Sequence, residues 1–242
     1  MTAGGWVIRL SEDVLDGEAR PLRLPAGPRV LYVLRGAATV RSLGVEVELV
    51  ADRAWHGAAA SDVVPRPDGA TLLRWDVVRA GTARGRPLLE HALDLDEPDW
   101  LMRCDRVDFE LGGVALPHGH RGGSIRYLVA GTLDVTVGAA APRRMTPGSA
   151  WFESGREPVR AEASPTVPTS FVRCAILPRE ILGQSSIVYV DPEDARRGRP
   201  RRYTVWVDEP IELDMGGLEG PPKPPGRSEA PRRSRGAPRN GC

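Results

Sequence analysis

Gly112-Gly113-Val114-Ala115-Leu116-Pro117-His118-Gly119-His120-Arg121-Gly122-Gly123-Ser124-Ile125-Arg126-Tyr127-Leu128-Val129-Ala130-Gly131 is the stretch whose reading decides the fold. Side chains alternate along an extended segment, so His118 and His120 point to one face. Gly122 and Gly123 then mark a turn, and a β-branched and aromatic run follows until Gly131 ends it. Within that run Ser124, Arg126 and Leu128 share one face, and Ile125, Tyr127 and Val129 share the other.

Working outward, a similar pattern lies upstream. Tyr32, Gly36 and Val40 stand to the first half of the chain as Tyr127, Gly131 and Val135 stand to the second, all at an offset of about 95 residues. The match continues from Ala54-Trp55 to Ala150-Trp151, and from Leu72-Leu73-Arg74 to Phe171-Val172-Arg173. A period of this size is that of a domain, so an internal duplication into two β domains is expected. The boundary is expected in Leu88–Trp100, where Asp94, Asp96, Glu97, Pro98 and Asp99 gather.

Composition agrees. With 242 residues the chain is long enough for two domains of about 100 residues each. Its 27 glycines and 23 prolines suit many short strands joined by turns. The net charge of +1 gives no global field to recruit nucleic acid or an anionic membrane surface. Cys104, Cys174 and Cys242 are widely spaced with no paired metal pattern, and the first two read as small buried hydrophobes. The N-terminus lacks the basic start and apolar run of a signal peptide, and no segment reaches the ~18 apolar residues of a membrane span. A cytoplasmic protein is expected. Residues 215–242 are rich in Pro, Arg and Gly with almost nothing apolar, so a disordered tail is expected there.

The spacing of Gly112, His118, His120 and Gly131 resembles the first sequence motif of the cupin superfamily, with Ser124 at the position of that motif's glutamate. The resemblance implies an all-β fold of two double-stranded β-helix (jelly-roll) barrels, here 1–95 and 96–214, and a homodimer. It also implies three histidines and a glutamate around a divalent transition metal: Fe, Mn, Ni, Cu or Zn. His118 and His120 match the first two ligands. The second motif begins at Pro147-Gly148, but its histidine position falls on Val159.

The chain has four histidines, and the other two, His56 and His91, lie outside the second repeat. A third histidine ligand is therefore ruled out there, which leaves half the usual shell missing unless a carboxylate substitutes, Glu153 ahead of Glu157. A charge on the inward face of a barrel is costly unless paired, so Arg126 either anchors an anionic substrate or pairs with an acid from a neighbouring strand. In the first repeat the motif histidine positions fall on Arg23 and Pro25, so that barrel is expected to be degenerate and structural.

Three functions follow from this reading. One is a metal-dependent, dioxygenase-like enzyme acting on a small acidic organic molecule, with His118, His120 and Glu153 on the metal and Arg126 on the substrate. Another is a non-enzymatic binding protein for a small anionic ligand. The last is a metal-free sugar-type isomerase or epimerase, with His118 or His120 as base oriented by Asp105, Asp108 or Glu110. Independently of these, deleting residues 216–242 should leave the melting temperature unchanged, as a thermal melt of the truncated chain would check.

Overall fold

The structure is a computed structural model that describes residues 5–82, 85–95, 99–197 and 200–214. The tail, expected to be disordered, lies outside the described residues. Among those described, seven strands form the first half: β1 (Trp6–Leu15), β2 (Leu22–Leu24), β3 (Arg29–Ser42), β4 (Val45–Val50), β5 (Ala54–Gly57), β6 (Ser61–Arg79) and β7 (Leu89–Leu93). Ten follow in the second: β8 (Asp99–Phe109), β9 (Val114–His120), β10 (Ser124–Ala130), β11 (Leu133–Val137), β12 (Arg143–Met145), β13 (Ala150–Glu153), β14 (Val159–Ala163), β15 (Thr169–Pro178), β16 (Ile187–Tyr189) and β17 (Arg201–Glu212). Helix among the described residues is confined to two short turns, Arg179–Ile181 and Pro192–Arg196, and neither is long and apolar enough to cross a membrane.

The two halves repeat one topology. The second half forms two sheets in the orders β13-β10-β15-β8-β17 and β12-β11-β14-β9-β16. The first half makes the same pairings in a single sheet, β4-β3-β6-β1-β7, with β2 on β6 and β5 on β3. The long strands β3 and β6 each run through both walls of their barrel, whereas their counterparts are broken into β10 plus β11 and β14 plus β15. All these pairings are antiparallel. The stretch expected as a linker, Leu88–Trp100, holds β7, which pairs with β1 as β17 pairs with β8.

The corner sits at the duplicated glycine. Gly36 has φ +72° and Gly131 has φ +73°, a left-handed backbone that L side chains rarely adopt. It lets the chain turn from one wall of the barrel to the other.

Alternation along these strands sorts three cores. One face of β3 and β6 fills the first barrel with Leu31, Val33, Val40, Val63 and Leu72. One face of β10, β11, β14 and β15 fills the second with Leu128, Leu133, Ala161 and Phe171. The opposite faces meet between the barrels, where Ile8, Tyr32 and Trp75 pack with Cys104, Ile125 and Val172. The buried thiols of Cys104 and Cys174 lie opposite one another there on β8 and β15, as free small hydrophobes.

A Cβ on Gly131 would meet the Thr169 hydroxyl and the Pro168 carbonyl, whereas one on Gly44, also at positive φ, would meet nothing. Gly131→Ala should therefore destabilise the chain by about 2–4 kcal/mol, and Gly44→Ala by about 1 kcal/mol. Urea unfolding of the two variants would show whether that corner is as tight as the backbone implies.

Candidate functional site

Each side chain at the site is placed by strand parity. Of β9, His118 and His120 face the interior of the second barrel, and Ser124, Arg126 and Leu128 do so from β10. Cross-strand pairing sets Ser124 opposite Glu153 and Arg126 opposite Trp151, both on β13, and sets Arg126 opposite Arg173 on β15. In turn Arg173 lies opposite Asp105 on β8. From the edge strand β17 come Arg201 and Tyr203. All of these but Ser124, Leu128 and Asp105 line an inner cavity of about 30 Å³, with Phe109, Leu133 and Phe171 among its apolar walls. That is room for about two waters or the head group of a small ligand. Next to it lies an outer pocket of about 430 Å³, which shares Arg173 and Tyr203 with the cavity and adds Asp105, Gln184, Ser185, Ser186 and Ile187.

Two ion pairs cross the interior. Arg126 Nη2 lies 2.6 Å from Glu153 Oε2, and Nη1 donates to the Ser124 hydroxyl at 2.8 Å. The other oxygen of Glu153 accepts from Trp151 Nε1 at 2.9 Å. Serine at the motif's glutamate position is thus a hydrogen-bond partner that fits Arg126 beside it. Arg173 is held bidentately by Asp105, through contacts of 2.8 and 2.9 Å. Burial, followed by the charge of Arg173, brings the Arg126 guanidinium down to about 10 although Glu153 works the other way. Burial acts to lower Arg173 too, but Asp105 outweighs it and the net shift is upward.

The third guanidinium is different. Arg201 is only 8% exposed, its Nε donates to the Tyr203 hydroxyl at 2.6 Å, and its Nη2 is buried with no hydrogen-bond partner among the described residues. No described carboxylate approaches within ion-pairing distance of it.

Both histidines are held neutral. Burial is the main cause in each, and the surrounding arginines add to it. His118 falls to about 4 despite its hydrogen bond to the Leu116 carbonyl, and His120 lies well below the usual imidazole range. Their partners fix the tautomers. His118 Nδ1 lies 2.6 Å from the Leu116 carbonyl oxygen, which can only accept, so Nδ1 carries the proton. His120 Nδ1 faces Arg173 Nη1 at 3.5 Å and the Ser186 hydroxyl at 3.3 Å. A guanidinium can only donate, so His120 carries its proton on Nε2, 3.8 Å from Glu153 Oε2.

Four residues singled out in the sequence, His118, His120, Arg126 and Glu153, thus converge on one cavity. A divalent metal, which the cupin resemblance implies, does not fit them as they stand. Glu153 has both oxygens engaged by Arg126 and Trp151. His120 turns an N–H toward the carboxylate instead of a lone pair, and three guanidinium groups crowd the space a dication would share. Among the described residues no group of three or more His, Cys, Asp or Glu is placed to hold a metal ion.

The remaining candidates lie elsewhere. Glu157 is on the surface with Ser154, and His91 stacks on Phe152 with ring centroids 3.6 Å apart. His56 sits in β5 with a buried, unpartnered Nε2, and burial lowers it. Of the acids considered as orienting partners for a histidine base, Asp105 points inward but binds Arg173. Asp108 pairs with Arg106, away from both histidines, and Glu110 is exposed. Sequence reasoning did not single out Arg173 or Arg201 as site residues. The repeat held a signal for Arg173, which stands where Arg74 stands in the first barrel.

The fold is that of two cupin-type jelly-roll barrels. Similar solved structures include AerE from Microcystis aeruginosa, 13% identical, with a TM-score of 0.54 over 72% of this chain and 88% of that one. Oxalate decarboxylase from Bacillus subtilis is 11% identical, with a TM-score of 0.53 over 83% of this chain and 77% of that one. A cupin 2 conserved barrel domain protein from Leptotrichia buccalis is 15% identical, with a TM-score of 0.47 over 71% of this chain and 84% of that one. At these identities the likeness is one of fold. No protein-family model matches the sequence, and no curated protein does.

The neutral histidines carry a pH signature. Unfolded, each imidazole takes up a proton near 6.5, but His118 in the folded chain does so only near 4 and His120 lower than its ordinary value too. Between those values the unfolded state binds more protons, so stability is fully present above about pH 6.5 and declines as the pH falls toward 4. Urea unfolding at several pH values should show this fall. A His118→Leu chain should show a shallower one.

Proposed function

We propose that the chain is a bicupin, with domains 1–95 and 96–214, whose second barrel binds a small organic anion without a metal and acts as a binding protein. The observation that carries this reading is Arg201, which lines a cavity whose other charges are paired, while its own Nη2 is buried without a hydrogen-bond partner among the described residues. Burying a cation without a counter-ion costs several kcal/mol, a cost that an anion entering the cavity would offset. A guanidinium presents donors in a planar fork that matches a carboxylate, and charge-assisted hydrogen bonds of this kind are the strong ones.

The other inward charges support the same conclusion by their balance. Arg126 is matched by Glu153 and Arg173 by Asp105, so both serve as fixed walls. Arg126, the expected substrate anchor, is already neutralised, which leaves Arg201 as the better candidate. The dioxygenase-like reading would need metal donors that Glu153 and His120 do not offer in this arrangement. The isomerase reading would need a carboxylate hydrogen-bonded to a histidine base. At His118 the Leu116 carbonyl stands there instead. At His120 the nearest carboxylate, Glu153, lies 3.8 Å away and is engaged by Arg126.

In the first barrel the inward charges close on themselves. Arg29 and Arg74 both bind Asp76, and Arg74 also binds Asp13. Arg9, on the same face of β1, pairs with Glu90, so the described inward charges of this barrel are matched, in keeping with a structural role.

Replacing Arg201 with methionine separates ligand binding from scaffolding. The Arg201→Met chain should be more stable than wild type without ligand, by about 1–2 kcal/mol, since an uncompensated buried charge is gone. It should lose the thermal stabilisation that millimolar acetate gives the wild type relative to chloride at equal ionic strength. A variant that is less stable and still responds to acetate would refute the assignment.

A further inference from the structure

The cavity has a second unused group, and it restricts what kind of anion can enter. His118 Nδ1 is committed to the Leu116 carbonyl, so Nε2 on the far side of the ring carries a bare lone pair. No donor among the described residues is hydrogen-bonded to it. Its neighbour has the opposite polarity, because His120 accepts at Nδ1 and carries its proton on Nε2. The inward carboxylates already accept from their neighbours. Glu153 is held by Arg126 and Trp151, and Asp105 by Arg173. Besides the His120 Nε2–H, the cavity therefore offers a ligand one unpaired cation, Arg201, and one imidazole lone pair, that of His118, within a space of about 30 Å³.

An acid with no other polar group would satisfy Arg201 and leave the His118 lone pair facing an alkyl group. Such a buried, unmatched acceptor carries a desolvation penalty that nothing offsets. An acid that also carries a hydroxyl satisfies both, since the hydroxyl donates to Nε2 while the carboxylate accepts from the guanidinium. We propose that the second barrel selects hydroxycarboxylates over the corresponding plain carboxylates, with His118 reading the hydroxyl. This rests on the reading of Arg201 as the anion anchor. The head of the molecule occupies the inner cavity. Any longer substituent extends past Tyr203 and Arg173 into the outer pocket, where Gln184, Ser185 and Ser186 supply polar contacts. A site built to accept a hydrogen bond discriminates well, because the wrong ligand leaves its buried acceptor unpaired.

Isothermal titration of the full chain at neutral pH with two matched pairs, glycolate against acetate and lactate against propanoate, tests this. The wild type should bind each hydroxy acid at least about tenfold more tightly than its partner, the difference made by one such hydrogen bond. His118→Leu should equalise the pairs while still binding the plain acids, and His118→Gln, which restores an acceptor oxygen, should recover part of the preference. Since the wild-type comparison needs no variant, a fold that does not tolerate the His118→Leu change leaves the result intact. Equal affinity within each pair would overturn the hydroxyl reading and leave Arg201 as anchor. Absence of binding by all four acids would overturn both.

Discussion

A charge in the interior of a β-barrel must find its partner inside that barrel, because the walls leave no water to solvate it. Both halves of this chain carry arginines on inward faces, and most of the architecture around them is the means of meeting that requirement. In the first barrel Asp76 is shared between Arg29 and Arg74, with Asp13 completing the set. In the second, Glu153 and Asp105 each take one guanidinium. The second barrel differs in holding one more cation than the described carboxylates around it can match.

The duplicated frame shows how this difference arises. Leu31 of the first barrel stands where Arg126 stands in the second, and Arg29 where Ser124 stands. Arg74 and Arg173 occupy equivalent places, but Asp76, which neutralises Arg74, is replaced by Ala175, so Arg173 turns to Asp105 across β8. The equivalent position on β1 is Ser11, opposite Arg74. The same backbone thus supports two charge networks by changing the positions at which the carboxylates stand. One closes on itself, and the other leaves Arg201 over.

How far this could be read from the sequence depended on whether parity was locally visible. His118, His120, Ser124 and Arg126 lie on uninterrupted extended runs, and their common face follows from alternation alone. The repeat was equally legible, since Gly36 and Gly131 mark the same corner with the same backbone. Glu153 was harder, because a four-residue strand gives little pattern, yet its facing Arg126 satisfies the alternative that an inward arginine pairs with a neighbouring acid. Arg201 was out of reach for a physical reason. Along β17 the register shifts between Val205 and Val207, a bulge that reverses which face each residue takes. Tyr203 borders the cavity, whereas Val207 and Ile211 pack between the barrels. Simple alternation would set Tyr203 and Val207 on one face, and nothing in the local sequence marks the break.

That bulge also explains why the cation sits in the second barrel's cavity and not elsewhere. β17 has two tasks that alternation alone cannot reconcile: sealing the interface between the barrels with its C-terminal half, and forming a wall of the cavity with its N-terminal half. Its counterpart β7 has only five residues and pairs with β1 in one unbroken register, and the charge it supplies, Glu90, is taken by Arg9 of β1. The longer strand pairs with β8 as far as Phe109, and it is this extension that places Arg201 against the cavity. The unpaired charge is therefore contributed by the part of the fold least constrained by the duplicated core. At such a position the charge could change without disturbing the two ion pairs that hold the barrel.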